Sequence, residues 1–150
     1  MKGNNPKLTL NDISNLRLSN QKVIINDFKS VKETVAWMGA MQAQDFNSAK
    51  WAVGVRLWNT SEDFIEKAFN NGEILRTHLL RPTWHLVSQD DIVWMLELTG
   101  PKIKTAVRAR DRNLGLSEDD FIKTNTIIEK SLSGGNHLTR EELIAFIEKA

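Results

Sequence analysis

The sequence predicts a mainly α-helical protein with one β-hairpin, arranged as a winged helix, which is a variant of the helix-turn-helix. Three observations support this prediction. Apolar residues recur at intervals of three and four over most of the 150 residues, the period changes to alternation between residues 75 and 87, and helical spacing then returns. Helices followed by a hairpin give the order of elements in a winged helix.

Helix caps and apolar spacing predict the two helices on either side of residue 44. Ser30 and Glu33 form a capping-box pattern at the start of the first helix. Its buried face is expected to comprise Val31, Val35, Met38 and Gln42. Asn47 or Ser48 is expected to cap the second helix. The buried stripe of that helix is expected to comprise Trp51, Val55 and Trp58.

The chain after residue 72 is predicted to form the hairpin and then further helices. Arg81 and Pro82 supply the turn of the hairpin. The next helix is expected to break at Gly100–Pro101, because proline removes a backbone donor and clashes with the preceding turn. The helix after that break carries a stripe of basic residues at intervals of four, namely Lys104, Arg108 and Arg112.

The pattern of elements divides the chain near residue 116. Residues 1–116 are expected to form a first winged-helix unit, and residues 117–150 the first two helices of a second, incomplete unit. The chain is therefore either a piece of a longer protein or a short gene product. Because those two helices lack a third helix and wing to cover them, we expect residues 117–150 to dock on the first unit, to self-associate, or to be the least protected part of the fold.

Composition excludes several kinds of site. The chain has no cysteine, and its three histidines, His78, His85 and His137, are far apart in the sequence, so we expect neither disulfides nor a metal site. No apolar run approaches the length of a membrane span, and the first residues lack the apolar core of a signal peptide. We therefore expect a cytoplasmic protein of bacterial type.

The net charge of +1 argues only weakly for a polyanionic partner, but the charge is unevenly distributed. Basic residues exceed acidic ones before residue 117 and are outnumbered after it. Nucleic-acid binding depends on where basic side chains cluster more than on their total number. The basic stripe is therefore the feature of interest for such a partner.

The most informative segment of the chain is Met41-Gln42-Ala43-Gln44-Asp45. A glutamine amide donates and accepts hydrogen bonds at once, so two of them around one small residue can hold a water molecule or bind a base edge without any titrating group. The alternative is that Gln42 and Gln44 are polar residues at the end of a helix.

Three segments together carry a family resemblance: Leu16-Arg17-Leu18, the glutamine segment, and residues 73–87. They resemble the N-terminal part of the AlkZ-type winged-helix DNA glycosylases, over about Leu10 to Ala150. That family includes bacterial enzymes that excise alkylated purines and unhook DNA crosslinks. The resemblance implies tandem winged helices with Gln42 and Gln44 at the catalytic centre. Family members continue through further winged-helix units and a C-terminal β-rich region.

The resemblance implies hydrolysis of the N-glycosidic bond of a cationic alkylpurine, with no metal or organic cofactor. Gln42 and Gln44 would position the attacking water by geometry. Asp45 would add negative charge near the cationic sugar, or act as a general base if burial raises its pKa. The alternative role for Asp45 is to cap the next helix.

The expected partner is double-stranded DNA carrying alkylated bases, which implies an association with the nucleoid. Phosphate contacts position a protein on DNA, and base contacts specify the sequence. The residues expected to contact DNA are Arg76, Arg81, His85, Lys104, Arg108 and Arg112. His78 and His85 are predicted to share one face of the hairpin, or alternatively to form a cross-strand pair within the sheet. The alternative for the basic stripe is a solvated helix face.

Two functions from other classes remain open at this point. One is a winged-helix regulator without catalysis, in which the glutamines bind adenine edges. The other is an interaction module that does not bind DNA.

Overall fold

The computed structural model describes residues 7–25, 27–80 and 83–149, which form mainly helices and one small sheet. A mainly α fold with a hairpin is therefore confirmed. In chain order the elements are α1 (Leu10–Asn20), α2 (Val31–Met38), β1 (Ala40–Gln42), α3 (Phe46–Gly54), α4 (Glu62–Asn70), β2 (Ile74–Leu79), β3 (Thr83–Ser88), α5 (Ile92–Asn113), α6 (Glu118–Leu132) and α7 (Arg140–Glu148).

The three strands form one antiparallel sheet in the order β1-β3-β2. β3 is therefore the central strand, and β2 and β3 are the two arms of the predicted hairpin. β1 comes before two helices in the chain but pairs with the far side of the hairpin. This crossover brings the glutamine segment next to β3.

The main core lies between one face of the sheet and helices α2, α3 and α4. Burying one large aliphatic side chain stabilises a fold by about 1.5–3 kcal/mol, so this cluster supplies most of the apolar stabilisation of the first part of the chain. Its buried members are Val31, Val35, Met41, Ala43, Ala49, Val53, Leu57, Ile65, Ala68, Ile74 and Leu86. A smaller cluster of Leu79, Val87 and Met95 packs the start of α5 against the other face.

The helix that was predicted to reach Gln42 ends four residues earlier, at Met38. Gly39 has a φ angle of 75°, which L side chains rarely adopt, and this turn breaks the helical period. The chain continues as a strand in which Met41 and Ala43 are buried and Gln42 is exposed. The prediction that Gln42 lies on the buried face of a helix was therefore wrong.

The tryptophans of α3 and of the turn after it are at the surface. Trp51 is 72% exposed and Trp58 is 67% exposed. The predicted stripe was wrong because α3 ends at Gly54, so Trp58 is not on the same helix as Trp51. The face that packs on the core instead carries the small residues Ala49 and Val53, which allow a close approach.

A single helix, α5, runs through the position where a break was predicted. It extends from Ile92 to Asn113 with Pro101 inside it. Proline in a helix interior costs about 3 kcal/mol but does not forbid the helix, and well-formed turns on both sides continue it here. Within the part of the chain that the structure describes, neither α5 nor any other helix is long and apolar enough to cross a membrane.

The chain divides into two compact units, residues 1–103 and 104–150. The division lies inside α5, between Ile103 and Lys104. In the second unit α6 packs on α7, and each helix begins with a capping box, formed by Ser117 with Asp120 and by Thr139 with Glu142. None of the described residues 104–149 is fully buried.

The absence of buried residues in the described part of the second unit predicts low local stability. Backbone amides of residues 117–149 are expected to exchange faster with solvent than those of the first unit, because few buried contacts oppose local opening. Hydrogen exchange at two protein concentrations would measure this. Slower exchange at the higher concentration would indicate self-association of the unit, whereas uniform protection up to residue 149 in a dilute monomer would contradict the prediction.

Four carboxylates at helix starts are expected to make the fold sensitive to acid. Hydrogen bonds donated by a neighbouring Ser or Thr residue lower the pKa values of Asp12, Asp45, Asp120 and Glu142. A carboxyl whose pKa is lower in the folded state stabilises the fold above its unfolded pKa, and this stabilisation is lost as the pH falls through the folded pKa. We therefore expect the free energy of unfolding to decrease below about pH 4.

Denaturant titrations between about pH 6 and pH 3 would measure this loss. The double variant Asp12→Asn, Asp120→Asn removes two of the carboxyls and is expected to flatten the pH dependence. The matched control is Asp63→Asn, Asp119→Asn, which removes two carboxylates that also lie in the first turn of a helix but are not its cap partners. An equal flattening in both double variants would contradict the assignment to the caps.

Candidate active site

The side chain of Gln44 completes the pairing between β1 and β3. In a regular antiparallel pair, opposite residues exchange two N–H to carbonyl hydrogen bonds. Here the Ala43 N–H donates to the Trp84 carbonyl at 2.8 Å, as in a regular ladder. The Trp84 N–H instead donates to Oε1 of Gln44 at 2.6 Å. The Gln44 carboxamide therefore takes the place of a backbone acceptor.

This hydrogen bond also fixes the orientation of the Gln44 amide. A backbone N–H can only donate, so the atom that faces it must be the amide oxygen. The NH2 group of Gln44, with its two N–H donors, is left for a second partner, and no described residue accepts from it. The Gln44 side chain is exposed, so that partner can come from solution.

Gln42 lies in a cross-strand row with two polar residues. It is directly opposite His85 of β3, and Thr77 of β2 is opposite His85 on the other side. Directly opposite residues have Cβ atoms about 4.5–5.5 Å apart and share a face of the sheet. The carboxamide of Gln42 is exposed and makes no hydrogen bond to the residues that the structure describes.

The ring of His85 is buried and its tautomer is determined by the backbone. Nδ1 of His85 lies 2.9 Å from the carbonyl oxygen of Thr83, which only accepts, so Nδ1 carries the proton. Nε2 is therefore the ring nitrogen left for another partner. Because His85 is opposite Gln42, this nitrogen belongs to the polar row beside the first glutamine.

The two histidines of the hairpin lie on opposite faces, so the prediction that they share one face was wrong. His78 is directly opposite Trp84, which places His85, the next residue along β3, on the other side. The rings of His78 and Trp84 are 4.1 Å apart, tilted by 36°. His78 thus forms a cross-strand pair with Trp84 and not with His85.

Arg76 connects β2 to the glutamine segment. Its Nε donates to the carbonyl of Ala43 at 2.9 Å, and its Nη2 donates to the carbonyl of Gln44 at 3.1 Å. The guanidinium also lies over two aromatic rings, 4.6 Å from the centroid of Trp84 and 5.7 Å from that of Phe46. Two of the three guanidinium nitrogens are therefore engaged within the protein.

Asp45 is the N-cap of α3, which was the alternative role predicted for it, and the prediction that Asn47 or Ser48 caps this helix was wrong. Its Oδ1 accepts from the Ser48 N–H at 2.7 Å. The hydrogen bonds from Ser48, together with the charges of Arg76 and Lys50, hold the pKa of Asp45 below its ordinary value. A carboxyl with a lowered pKa is a weak base, so the geometry favours a fixed negative charge at Asp45 over a general base.

Lys50 ties α3 to α4 through two carboxylates. The Lys50 side chain is buried, and its Nζ donates to Glu62 and, at 2.5 Å, to Oε1 of Glu66. These hydrogen bonds raise the pKa of Lys50, which therefore stays charged. Glu62, Glu66 and Asp63 give the start of α4 an acidic surface.

The basic stripe lies in the second unit, along a groove of about 520 Å³ between α5 and α6. Lys104, Arg108 and Arg112 are all exposed, and none forms an ion pair with a described residue. The rest of the groove is lined by four apolar residues, Val107, Leu116, Phe121 and Ile122, and by four polar ones, Asp111, Ser117, Glu118 and Asn125. Arg81, the other predicted contact, lies outside the described residues.

The His, Asp and Glu residues that the structure describes do not form a cluster suited to a metal ion. The polar groups of the site are the two carboxamides, the His85 imidazole, the Arg76 guanidinium, the Asp45 carboxylate and backbone atoms.

A model of the AlkZ-like DNA glycosylase family matches residues 35–150. The chain belongs to this family. The match includes both glutamines and the hairpin, and it confirms the resemblance at the level of the family. DNA is therefore the substrate or partner of this AlkZ-like chain. No curated protein and no solved structure matches the chain.

Two contributions to this AlkZ-like site were missed by reasoning from sequence. Trp84 acts through its backbone N–H, which every residue except proline possesses, so no side-chain pattern would have indicated it. The contact of Arg76 with the glutamine segment spans more than thirty positions. Its one sequence signal is the strand alternation, which places Arg76 in the row next to Leu86 of the central strand.

Proposed function

We propose that the chain carries the catalytic centre of a DNA glycosylase that hydrolyses the N-glycosidic bond of cationic alkylated purines, including purines joined in a crosslink. The observation that carries this proposal is the pair of exposed carboxamides, Gln42 and Gln44, at the edge of β1. The Gln44 amide is held in one orientation by Trp84. Membership of the DNA glycosylase family supports the reaction class.

The chemistry requires positioning more than acid or base strength. A purine alkylated at N7 or N3 is cationic, so the electrons of the breaking C1′–N bond neutralise it as it leaves. A water molecule then bonds to C1′ of the cationic sugar and releases a proton to solvent. Two amides can hold that water in place, and proximity and orientation of this kind contribute several kcal/mol to a barrier.

The two glutamines are proposed to play unequal parts. Gln44, whose oxygen already accepts from Trp84, offers its NH2 group to the water oxygen. Gln42 has a free carbonyl oxygen, which can accept a hydrogen bond from the same water and so direct the lone pair of the water at C1′. Asp45, fixed at the start of α3 with a lowered pKa, adds a negative charge that favours the cationic sugar.

DNA contacts are proposed for the polar row beside Gln42 and for the basic groove. His85 lies next to Gln42 and has Nε2 available. The basic groove residues are exposed and not ion-paired within the described chain, as phosphate contacts require. Arg81 remains a proposed DNA contact. We also infer that residues 31–88, a helix, a strand, two helices and a hairpin in order, are a winged helix.

The surface of α4 favours the glycosylase over a regulator. In a helix-turn-helix regulator the second helix enters the major groove. Here α3 and α4 are the adjacent helix pair, and α4 begins with Glu62 and Asp63 followed by Glu66. Lys50 offsets only part of the negative charge of Glu62 and Glu66. Carboxylates repel phosphates, so the start of this helix is poorly suited to lie in a groove of DNA. The exposed glutamines lie on β1 and the turn after it, and not on that helix.

Incubation of the chain with duplex DNA that contains N7-methylguanine tests the proposal. Alkali cleavage after incubation would reveal abasic sites, and the double variant Gln42→Ala, Gln44→Ala controls for spontaneous loss of the base. Abasic sites above that control are expected. Retardation of undamaged DNA without abasic sites would support a regulator, and neither result would support an interaction module.

The basic groove predicts a specific dependence of DNA affinity on salt. Each phosphate contact removed is expected to reduce the slope of log affinity against log salt by about 0.9. The triple variant Lys104→Ala, Arg108→Ala, Arg112→Ala should therefore lower the slope by about 2.7 for every DNA sequence. The matched control is the triple variant that removes three exposed cations outside the groove, Lys102, Arg110 and Arg140. An equal change in both variants would mean that the basic stripe is a solvated helix face that does not contact phosphates.

A further inference from the structure

We propose that Arg76 is a positioning residue, which determines that the Gln44 side chain, and not the backbone, binds the Trp84 N–H. This inference rests on the proposed function for its catalytic consequence, but its structural part stands on geometry alone. It assigns Arg76 a different role from the phosphate contact that its charge suggests.

The carbonyl of Ala43 is an acceptor within reach of both the β3 backbone and Arg76. In a regular ladder the Trp84 N–H would bond to the carbonyl of Ala43, because Ala43 already donates to the carbonyl of Trp84. That carbonyl instead accepts from Nε of Arg76 at 2.9 Å. The Trp84 N–H is left to Gln44 Oε1 at 2.6 Å. A carbonyl oxygen can accept two hydrogen bonds, yet the Trp84 N–H does not bond to this one. Arg76 therefore acts by holding the Ala43 carbonyl toward itself, which leaves the Trp84 N–H to the Gln44 side chain.

Arg76 also holds the backbone of the segment that carries Gln44. Nη2 of Arg76 binds the carbonyl of Gln44 itself, so two consecutive carbonyls are held by one planar group. The same guanidinium lies over Phe46, the first residue of α3, and over Trp84 of β3. The end of β1, the start of α3 and the central strand are therefore joined at one side chain.

Only arginine can make this set of contacts. Its rigid fork donates two hydrogen bonds in one plane and its flat face stacks on aromatic rings, whereas a lysine ammonium is a single hydrated point of charge. Arg76→Lys consequently keeps the charge that a phosphate contact needs and loses the fork that the positioning role needs. Arg76→Met loses both.

The first experiment compares excision rate with DNA binding. Single-turnover rate constants and the salt dependence of affinity would be measured for Arg76→Lys and Arg76→Met on N7-methylguanine duplexes. Both variants are expected to lose on the order of 100-fold in rate, the cost of displacing a catalytic group by about 1 Å, with an unchanged salt slope. A normal rate in Arg76→Lys with a reduced slope in Arg76→Met would establish a phosphate contact and overturn the proposal.

Arg56 provides a matched control for loss of structure. Its Nε donates to the carbonyl of Gln21 at 2.9 Å and its Nη1 to that of Ala52 at 2.6 Å, so it is a similar two-carbonyl bridge. Arg56→Lys is expected to lower the unfolding midpoint by a similar amount to Arg76→Lys, with a normal excision rate. A rate loss in Arg56→Lys equal to that in Arg76→Lys would mean that Arg76 affects the excision rate only by stabilising the fold.

The second experiment needs no catalysis. Hydrogen exchange of the Trp84 amide would be measured in the original chain, in Gln44→Ala, in Arg76→Lys and in the double variant. We expect Gln44→Ala to speed exchange in the original chain and to have little effect when Arg76 is lysine, because the amide then bonds to Ala43. An equal effect of Gln44→Ala in both backgrounds would refute the proposal, even if the chain excises no base.

Discussion

Replacement of Gln42 or Gln44 by alanine is expected to lower the single-turnover excision rate constant by on the order of tenfold to a thousandfold, comparable to the loss of one oriented hydrogen-bond donor. DNA affinity should change little, because neither side chain carries a charge that a phosphate would neutralise. The effect is expected on the chemical step, since each amide is proposed to hold the attacking water and not the DNA.

The two alanine variants are expected to differ in stability. Gln42 makes no hydrogen bond to the described residues, so Gln42→Ala should leave the unfolding midpoint unchanged. Gln44→Ala removes the acceptor of the Trp84 N–H and should cost about 0.5–1.5 kcal/mol, the usual net value of one hydrogen bond. Rate constants must therefore be measured on folded protein at a temperature well below both midpoints.

Gln44→Glu separates anchoring from catalysis. A glutamate oxygen can still accept from Trp84, but the variant has no NH2 group to offer the water. We expect Gln44→Glu to keep the stability of the original chain and to lose as much rate as Gln44→Ala. Full activity in Gln44→Glu, or in both alanine variants, would remove the amides from the mechanism.

Leu86→Ala is expected to destabilise the first unit by about 2–5 kcal/mol, the range for truncation of a large buried aliphatic residue. Leu86 is fully buried at the centre of β3, opposite Met41 of β1 and Arg76 of β2. No partner strand can move to fill the space without disturbing the others. Since small domains are stable by only about 5–15 kcal/mol, this loss is a large share of the total.

Denaturant unfolding would measure the loss, with Leu98→Ala as the matched control. Leu98 is 70% exposed on α5, so its truncation should cost little. Excision per folded molecule should remain close to normal in Leu86→Ala, because the site residues are retained. A cost no larger than that of Leu98→Ala would mean that the core does not depend on the central strand.

Local signals predicted much of the fold. Ser30 caps α2 at the position predicted from the sequence, because capping is decided within four residues. The hairpin followed from alternation for a similar reason. The course of the chain at Gly39 was not predictable this way, since the choice between continuing α2 and starting β1 depends on the partner strand β3.

The buried face of a helix was harder to predict than the presence of the helix. Trp51 follows helical spacing as well as Ala49 does, and spacing does not say which side of α3 meets the core. Pro101 similarly shows that a local penalty is outweighed when the flanking turns are helical. In both cases the outcome depends on neighbours that are distant in the sequence.

The candidate site was predictable in its residue types and not in its connections. Two amides around a small residue indicated a site that binds through hydrogen bonds. Their common exposure follows from strand geometry, which was not expected. The contacts that orient Gln44 come from the backbone of Trp84 and from Arg76, both of which are set by the register of the sheet.

The surface position of the aromatic residues has a consequence for the optical properties of the protein. All five tryptophans, Trp37, Trp51, Trp58, Trp84 and Trp94, are between 36% and 72% exposed. A solvated indole already emits at long wavelength, so unfolding should shift the fluorescence maximum very little. Trp84 is the tryptophan whose backbone N–H binds Gln44, and the His78 ring and the Arg76 guanidinium stack on its indole. The fluorescence of Trp84 should therefore respond to the arrangement of the hairpin. In a variant with Trp84 as its only tryptophan, a change in fluorescence would indicate a structural change at the glutamine pair.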